Sequence, residues 1–325
     1  MLTRLGAWAR DRAVESEPWT NVYGLGRSIV ALATALTLVF NPTTTLFRPL
    51  AGNPLHYPLC VGARAATAFC VAGDDHLELA RFLAIGALLL VASGWRPRIT
   101  GLLHWWIAMS LHVSAAATDG GDQVAAVVTF LLLPVTLTDP RVWHWASYAR
   151  PPEARIGAKL VALSSLGCVL RLQVAGIYFH ASVAKYAVTE WADGTALYYW
   201  LTSGTFGAPP WMLPVLGPLL RWGPSVALMT WGVMVLEFFL ATGLVMSRRH
   251  WGKLLVGGIA LHAGIGFIQG IMSFSITMIG VLILYLRPPE ETFDFAWLRA
   301  VRFPRLSRLR ALAWPSSRVL PTSAR

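Results

Sequence analysis

Apolar residues run through this chain in long blocks, and the charge is gathered into short clusters between them. A helix needs about 17 to 25 apolar residues to cross a bilayer. The blocks therefore predict eight spans, at roughly 24–41, 78–95, 100–118, 123–138, 158–185, 224–246, 251–270 and 272–287. The stretch 186–223 is also apolar, but Pro209, Pro210, Pro214 and Pro218 interrupt it. It reads as a re-entrant or interfacial segment, because a broken helix leaves backbone polar groups that lipid cannot satisfy. The expected fold is all-α, a polytopic transmembrane helical bundle without repeats. An amphipathic N-terminus spans 1–23, the membrane domain 24–287 and a basic tail 288–325. The opening MLTRLGAWARDRAVESEPW lacks the basic, apolar and small-residue order of a cleaved signal, so the first span is expected to be retained.

Composition narrows the class. With 55% hydrophobic and 13% charged residues over 325 positions and a mean hydropathy of +0.55, a soluble domain is excluded. A net charge of +11 raises nucleic acid as a partner. The cations, however, sit at Arg96 and Arg98, from Arg141 to Lys159, from Arg248 to Lys253, and after Arg287. A single orientation, with both termini cytoplasmic, places all of these clusters on the cytoplasmic side. The excess is thus an orientation signal that points to membrane lipid and not to nucleic acid.

That orientation puts residues 42–77, the DGGD turn at 119–122 and residues 186–223 outside. Cys60 and Cys70 share the first outer loop, in a compartment that permits disulfides, and are expected to be bridged. Without a CxxC, neither a thioredoxin-like pair nor a structural zinc cluster fits. Cys168 falls inside a helix and reads as a packed, inert thiol. Asp119 and Asp122 could hold a cation, but two carboxylates flanking two glycines are equally a plain turn, and no metal centre is expected.

Polar residues inside the predicted spans carry the candidate chemistry. Arg171, Tyr178 and Lys185 recur every seven residues, so they share one helix face over about 21 Å, with Ser182 on the same stripe. A cation in the hydrocarbon layer is costly unless it meets a partner or a wet cavity. Lys185 could instead snorkel to the headgroups beside an aromatic belt of Trp191, Tyr198, Tyr199 and Trp200; that leaves Arg171 unexplained. His104, His112, His180, Glu237 and His262 also lie within spans. Glu237 is the natural counter-charge for an intramembrane Arg or Lys. Such groups either tie helices together or line a polar site in which a lysine serves as a base.

The segment RLQVAGIYFHASVAKYAVTEWADG resembles the central motif of the vitamin K-dependent gamma-carboxylase-like, horizontally transferred transmembrane (HTTM) family. That motif runs roughly Arg-x-Gln, Tyr-Phe, a lysine and Trp-x-x-Gly. Arg171, Gln173, Tyr178, Lys185, Trp191 and Gly194 fall on it, with one extra residue between Lys185 and Trp191. The resemblance extends to Glu237, at the family's intramembrane acid, and to LHAGIGFIQGIMSF, where His262 and Phe274 match a His and a Phe. Lys185 matches the lysine that is the base in the carboxylases. Two features depart from them: Gly-Asp within DGGDQ replaces an Asn-His pair, and the carboxylases' large extracytoplasmic docking domain has no counterpart here. Glutamate carboxylation is therefore not carried over. The stretches NVYGLGRSIVALATALTLVFNP, WRPRITGLLHWW and DGGDQ, with the paired loop cysteines, are similar to the bacterial sporulation-delaying protein B branch, which is implicated in maturing a secreted peptide toxin.

The resemblance implies a multi-pass protein of the bacterial plasma membrane that matures or modifies a secreted antimicrobial or toxin peptide. Its catalytic residues would be Lys185, Glu237 and His262, with Arg171, Tyr178, His180 and Trp191 binding substrate in a cavity facing outward. The implied partners are the secreted peptide precursor and a co-encoded maturation protein; the cofactor, whether a quinone or none, is left open. The alternative is a non-catalytic membrane partner for peptide export, assembly or immunity.

Overall fold

The computed structural model describes residues 2–49, 52, 55–148 and 153–294. Most of the 288–325 tail thus lies outside the described residues. Among the described residues the chain is helical throughout, and the one β-type pairing is an isolated bridge between Trp95 and Trp143. The long helices are α1 (Leu2–Glu15), α2 (Asn21–Phe40), α3 (Leu77–Ser93), α4 (Pro97–Ser114), α5 (Gly120–Thr138), α6 (Ile156–Lys185), α7 (Gly223–Thr242), α8 (Trp251–Gln269) and α9 (Met272–Leu286). Six of them, α2, α3 (counted from Asp74), α5, α6, α7 and α8 (counted from Arg248), are long and apolar enough to cross a membrane. Helix α4 carries Arg98, His104 and His112 and is less apolar, while α9 has 15 residues. The proline-rich segment forms the short helices Thr189–Ala192, Ala196–Thr202 and Leu213–Leu220.

Local sequence explains where these helices begin and bend. Pro97 opens α4 at a position whose N–H would have no partner anyway. Asp119 caps α5 through a reciprocal box with Asp122. Pro134 breaks the ladder of α5: Val135 N–H turns to the Leu132 carbonyl, 3.1 Å away, and the Leu131 carbonyl is taken by the hydroxyl of Ser165. Ser165 begins a π-helical stretch, Ser165–Leu170, within α6.

Helix α9 is the central element. Its buried positions run almost without interruption from Thr277 to Leu286, as a helix surrounded by others requires. It lies close along α2 where Gly26 and Gly280 face each other. A Cβ on Gly26 would come within 3.1 Å of the Gly280 carbonyl oxygen. Between helices in lipid, packing replaces water exclusion as the cohesive force, so such backbone approaches matter more than apolar area. A second cluster, Leu38, Leu46, Phe47, Phe69, Leu88, Ile107 and Leu111, lies under the first long loop. That loop is held by a Cys60–Cys70 disulfide, by the Trp106 indole donating to the Ala66 carbonyl at 2.9 Å, and by the Ala68 N–H donating to Ser110 Oγ at 2.8 Å.

Candidate functional site

Helices α6 and α7 are antiparallel: an Arg171 guanidinium nitrogen donates to the Gly243 carbonyl at 3.2 Å, and Ser182 Oγ to the Met234 carbonyl at 3.0 Å. Lys185 ends α6, yet it does not end the bundle, because α7 continues past it from Met234 to Gly223. The chain after Lys185 follows that N-terminal half of α7. Leu197 N–H donates to Thr230 Oγ1 at 3.2 Å, and the Trp231 indole to the Ala192 carbonyl at 3.3 Å.

Side chains lean toward the N-terminus of their own helix. On antiparallel neighbours Lys185 and Glu237 therefore lean toward one another. Lys185 Nζ folds back one turn and donates to the Ala181 carbonyl at 3.0 Å and to Glu237 Oε1 and Oε2 at 2.8 and 2.7 Å. Three acceptors match the three N–H bonds of an ammonium. The Trp191 ring lies 5.0 Å from Nζ, and the two side chains retain only 20% and 12% of their exposure. This is a closed ion pair inside the bundle; a snorkelling anchor would extend the other way.

Beside the pair, Tyr178 Oη meets His262 Nε2 of α8 at 2.8 Å, and the His262 ring stands edge-on to Phe274 at 5.6 Å. His262 Nδ1 and the nearby Ser275 Oγ are buried without a hydrogen-bond partner among the described residues. The start of α5 abuts the same region. A Cβ on Gly121 would lie 2.6 Å from the Phe274 Cα, so this approach requires glycine. Asp119 Oδ1 accepts from the N–H groups of Gly121 and Asp122 at 2.7 and 3.1 Å, its Oδ2 from Ser273 at 3.3 Å, and Thr37 donates to Asp122 at 3.2 Å. The DGGD turn thus uses its carboxylates as a helix cap and a tie to α9. Among the described residues no group of three His, Cys, Asp or Glu could hold a metal ion.

The structure draws Lys185, Glu237 and Trp191 together, with Tyr178 and His262 alongside. It does not add Arg171 or His180. Arg171 donates to the Tyr285 carbonyl at 2.7 Å as well as to Gly243, and its guanidinium lies 3.9 Å from the Trp251 ring centre. It therefore caps the C-terminal ends of both α7 and α9, where carbonyls lack helical partners. Sharing a face with Lys185 did not mean proximity, because fourteen residues of helix separate them by about 21 Å. His180 is exposed, being two residues and some 200° around the helix from Tyr178. Cys168, expected to be packed, is also exposed.

One buried polar cluster had escaped the sequence reading. Arg27, fully buried in α2, donates to Thr100 Oγ1 at 2.7 Å and faces His144 Nδ1 at 3.4 Å, while Ser28 Oγ lies 3.2 Å from His144 Nε2. Next to it, Asp139 and Arg141 form a buried ion pair at 2.7 Å. Burial, then the charges of Arg27 and Arg141, push the His144 imidazole down to about 2. The sequence signal was an arginine early in an apolar span facing a junction that carries its own Asp, Arg and His.

Comparison with known proteins bears on the whole chain. It is 40% identical over 282 residues, 86% of its length and 85% of the relative's, to the sporulation-delaying protein SdpB of Bacillus subtilis (strain 168). The chain belongs to the SdpB family. Another relative, described as uncharacterized protein YitO of the same organism, is 43% identical over 288 residues, 88% of this chain and 91% of the relative. No family model matches the sequence and no solved structure matches it.

Proposed function

We propose that this protein is a multi-pass factor of the bacterial plasma membrane that matures or modifies a secreted toxin peptide at the Lys185–Glu237 pair. The observation that carries the reading is a lysine and a glutamate, inside the bundle, that have no other charged partner among the described residues and lie beside an aromatic and imidazole cluster. Membership of a family whose relative is named for delaying sporulation supports a role in toxin production. In this reading eight helices cross the membrane within an HTTM-like domain, 24–287, and both termini lie in the cytoplasm. Residues 186–223 form a re-entrant or interfacial cover on the outer side, and the basic tail 288–325 follows inside.

Lys185 is then the base or the cation that holds the peptide. For Lys185 to accept a proton its ammonium must first give one up, and Glu237 is the group placed to receive it. Tyr178 and His262 would orient the substrate's polar group, and Trp191 would cover the ammonium from the outer side. In this reading the secreted precursor is the substrate, and a co-encoded maturation protein is a further partner. Mass spectrometry of the secreted peptide, made with the wild-type protein and with Lys185→Arg, tests it: a mass difference that depends on Lys185 supports the enzyme.

A second reading has its own support. The ammonium of Lys185 has all three N–H bonds occupied, which is what a purely structural pair needs. The protein would then bind the peptide for export, assembly or immunity without changing it, and peptide mass would be the same in both strains.

A further inference from the structure

A cavity of about 460 Å³ lies at the end of the bundle away from Lys185, between α1, the π-helical part of α6, the start of α8 and the end of α9. Arg12, Arg171, Arg248 and Arg287 all line it, and among the described residues Glu290 is the one acidic residue that does. Glu290 pairs with Arg248, and Glu291 Oε2 lies 3.6 Å from Arg287. These two carboxylates thus pair with two of the four guanidinium groups. Burial pushes the Glu290 carboxyl up, but the hydrogen bond and charge of Arg248 hold it below its ordinary value, so Glu290 is a negative charge that any anion bound here must oppose.

The rest of the lining is mostly apolar, with Leu160, Leu163, Leu284, Trp8 and Trp251 beside the hydroxyls of Ser16 and Ser164. Trp8 is 67% exposed on α1, whose Arg12 is exposed as well. Guanidinium forks match phosphate oxygens in pairs, and basic pockets between membrane helices take anionic headgroups. A cavity of this volume holds a headgroup and the first part of its chains. We propose that it binds an anionic phosphate-bearing amphiphile, with the phosphate among Arg12, Arg248 and Arg287 and the hydrocarbon along α6. The site is distinct from the Lys185–Glu237 pair and does not depend on its role.

The test uses the full chain in dodecyl maltoside, with thermal unfolding and native mass spectrometry against dioleoyl phosphatidylglycerol, dioleoyl phosphatidylcholine and inorganic phosphate. Phosphatidylglycerol should remain bound and raise the unfolding temperature, while phosphatidylcholine should not. Stabilisation by inorganic phosphate to the same extent would leave the phosphate site standing and remove the amphiphile. Arg12→Gln with Arg248→Gln should weaken phosphatidylglycerol binding about tenfold, while Arg64→Gln, in the outer loop, should leave it unchanged. Glu290→Gln removes the opposing charge and should tighten binding, which gives a second reading should the arginine variants fold poorly. Equal binding of both lipids, or no change in any of the cavity variants, would overturn the proposal.

Discussion

Lys185 Nζ lies within 2.8 Å of both carboxylate oxygens of Glu237, across two helices that run in opposite directions. The contact exists because each side chain leans back along its own helix, so a lysine at a helix end reaches inward, toward the middle of the neighbouring one. It also settles how the two residues should respond to substitution.

Lys185→Arg keeps a cation that can reach Glu237, and Arg does not give up its proton, its pKa exceeding about 12. Expression and membrane insertion should therefore stay near wild type, and peptide maturation should be lost. Full maturation by Lys185→Arg, read by mass spectrometry of the secreted peptide, would end the proton-transfer role.

Removing one partner leaves the other charge alone in a largely enclosed place. Lys185→Met or Glu237→Met should each cost about 3 kcal/mol, whereas the double substitution should recover most of that, because an apolar pair of similar volume replaces the buried ions at little cost. Thermal unfolding of the purified variants checks this. A double variant as unstable as either single one would contradict the closed pair.

Arg171 ties two helix ends through the Tyr285 and Gly243 carbonyls. Arg171→Leu should lose two charge-assisted hydrogen bonds, about 1.5 to 3 kcal/mol each, and Arg171→Lys, without the fork, should keep only one. The loss should appear as a lower unfolding temperature in detergent, with Lys intermediate. If the residue instead bound substrate at the Lys185 site, Arg171→Lys would change activity and not stability.

How far these relationships could be read beforehand follows from what a sequence specifies. Apolar blocks and basic junctions located α2 to α9 within a few residues, whereas α1 was read only as an amphipathic N-terminus. Glu237 was legible as a partner because an acid in an apolar span must find a cation. Spacing, however, defines only a face, so Arg171 and Lys185 were grouped although one caps helix ends and the other pairs mid-bundle. His180 could have been set aside by the same angular argument that united Tyr178 with Lys185. Arg27 and His144 were not legible, since 117 residues separate them and only the folded bundle brings that junction beneath α2.

The disulfide closes a short loop over the second cluster. In the chain-entropy account a ten-residue loop is worth about 2.5 kcal/mol, and its neighbours Ala66 and Ala68 stay tied to α4 through Trp106 and Ser110. Cys60→Ser with Cys70→Ser should therefore loosen the 55–76 loop without dissolving the bundle. Limited proteolysis should cut the variant first in that loop, while the helices remain protected; cleavage spread through the bundle would show that the bridge holds more than its own loop.

His144 gives the protein a dependence on pH whose sign can be worked out. Arg27 can only donate, so Nδ1 is the acceptor and Nε2 carries the proton, which it gives to Ser28 Oγ; Ser28 in turn donates to the Ala92 carbonyl at 2.6 Å. A second ring proton would face the Arg27 guanidinium. This agrees with an imidazole held down to about 2 from its ordinary 6.5 by burial and by Arg27 and Arg141. Between those values the unfolded chain binds a proton that the folded one refuses. The contribution is thus complete above about pH 6.5 and is lost as pH falls, by about 1.4 kcal/mol per unit, or about 2 kcal/mol by pH 5. His144→Gln lacks the titrating ring. It should begin less stable at pH 7.5, for loss of its fit between Arg27 and Ser28, yet fall less steeply toward pH 5. Unfolding temperatures of both proteins in detergent across that range decide it, and parallel slopes would mean that His144 is not kept neutral in the folded protein.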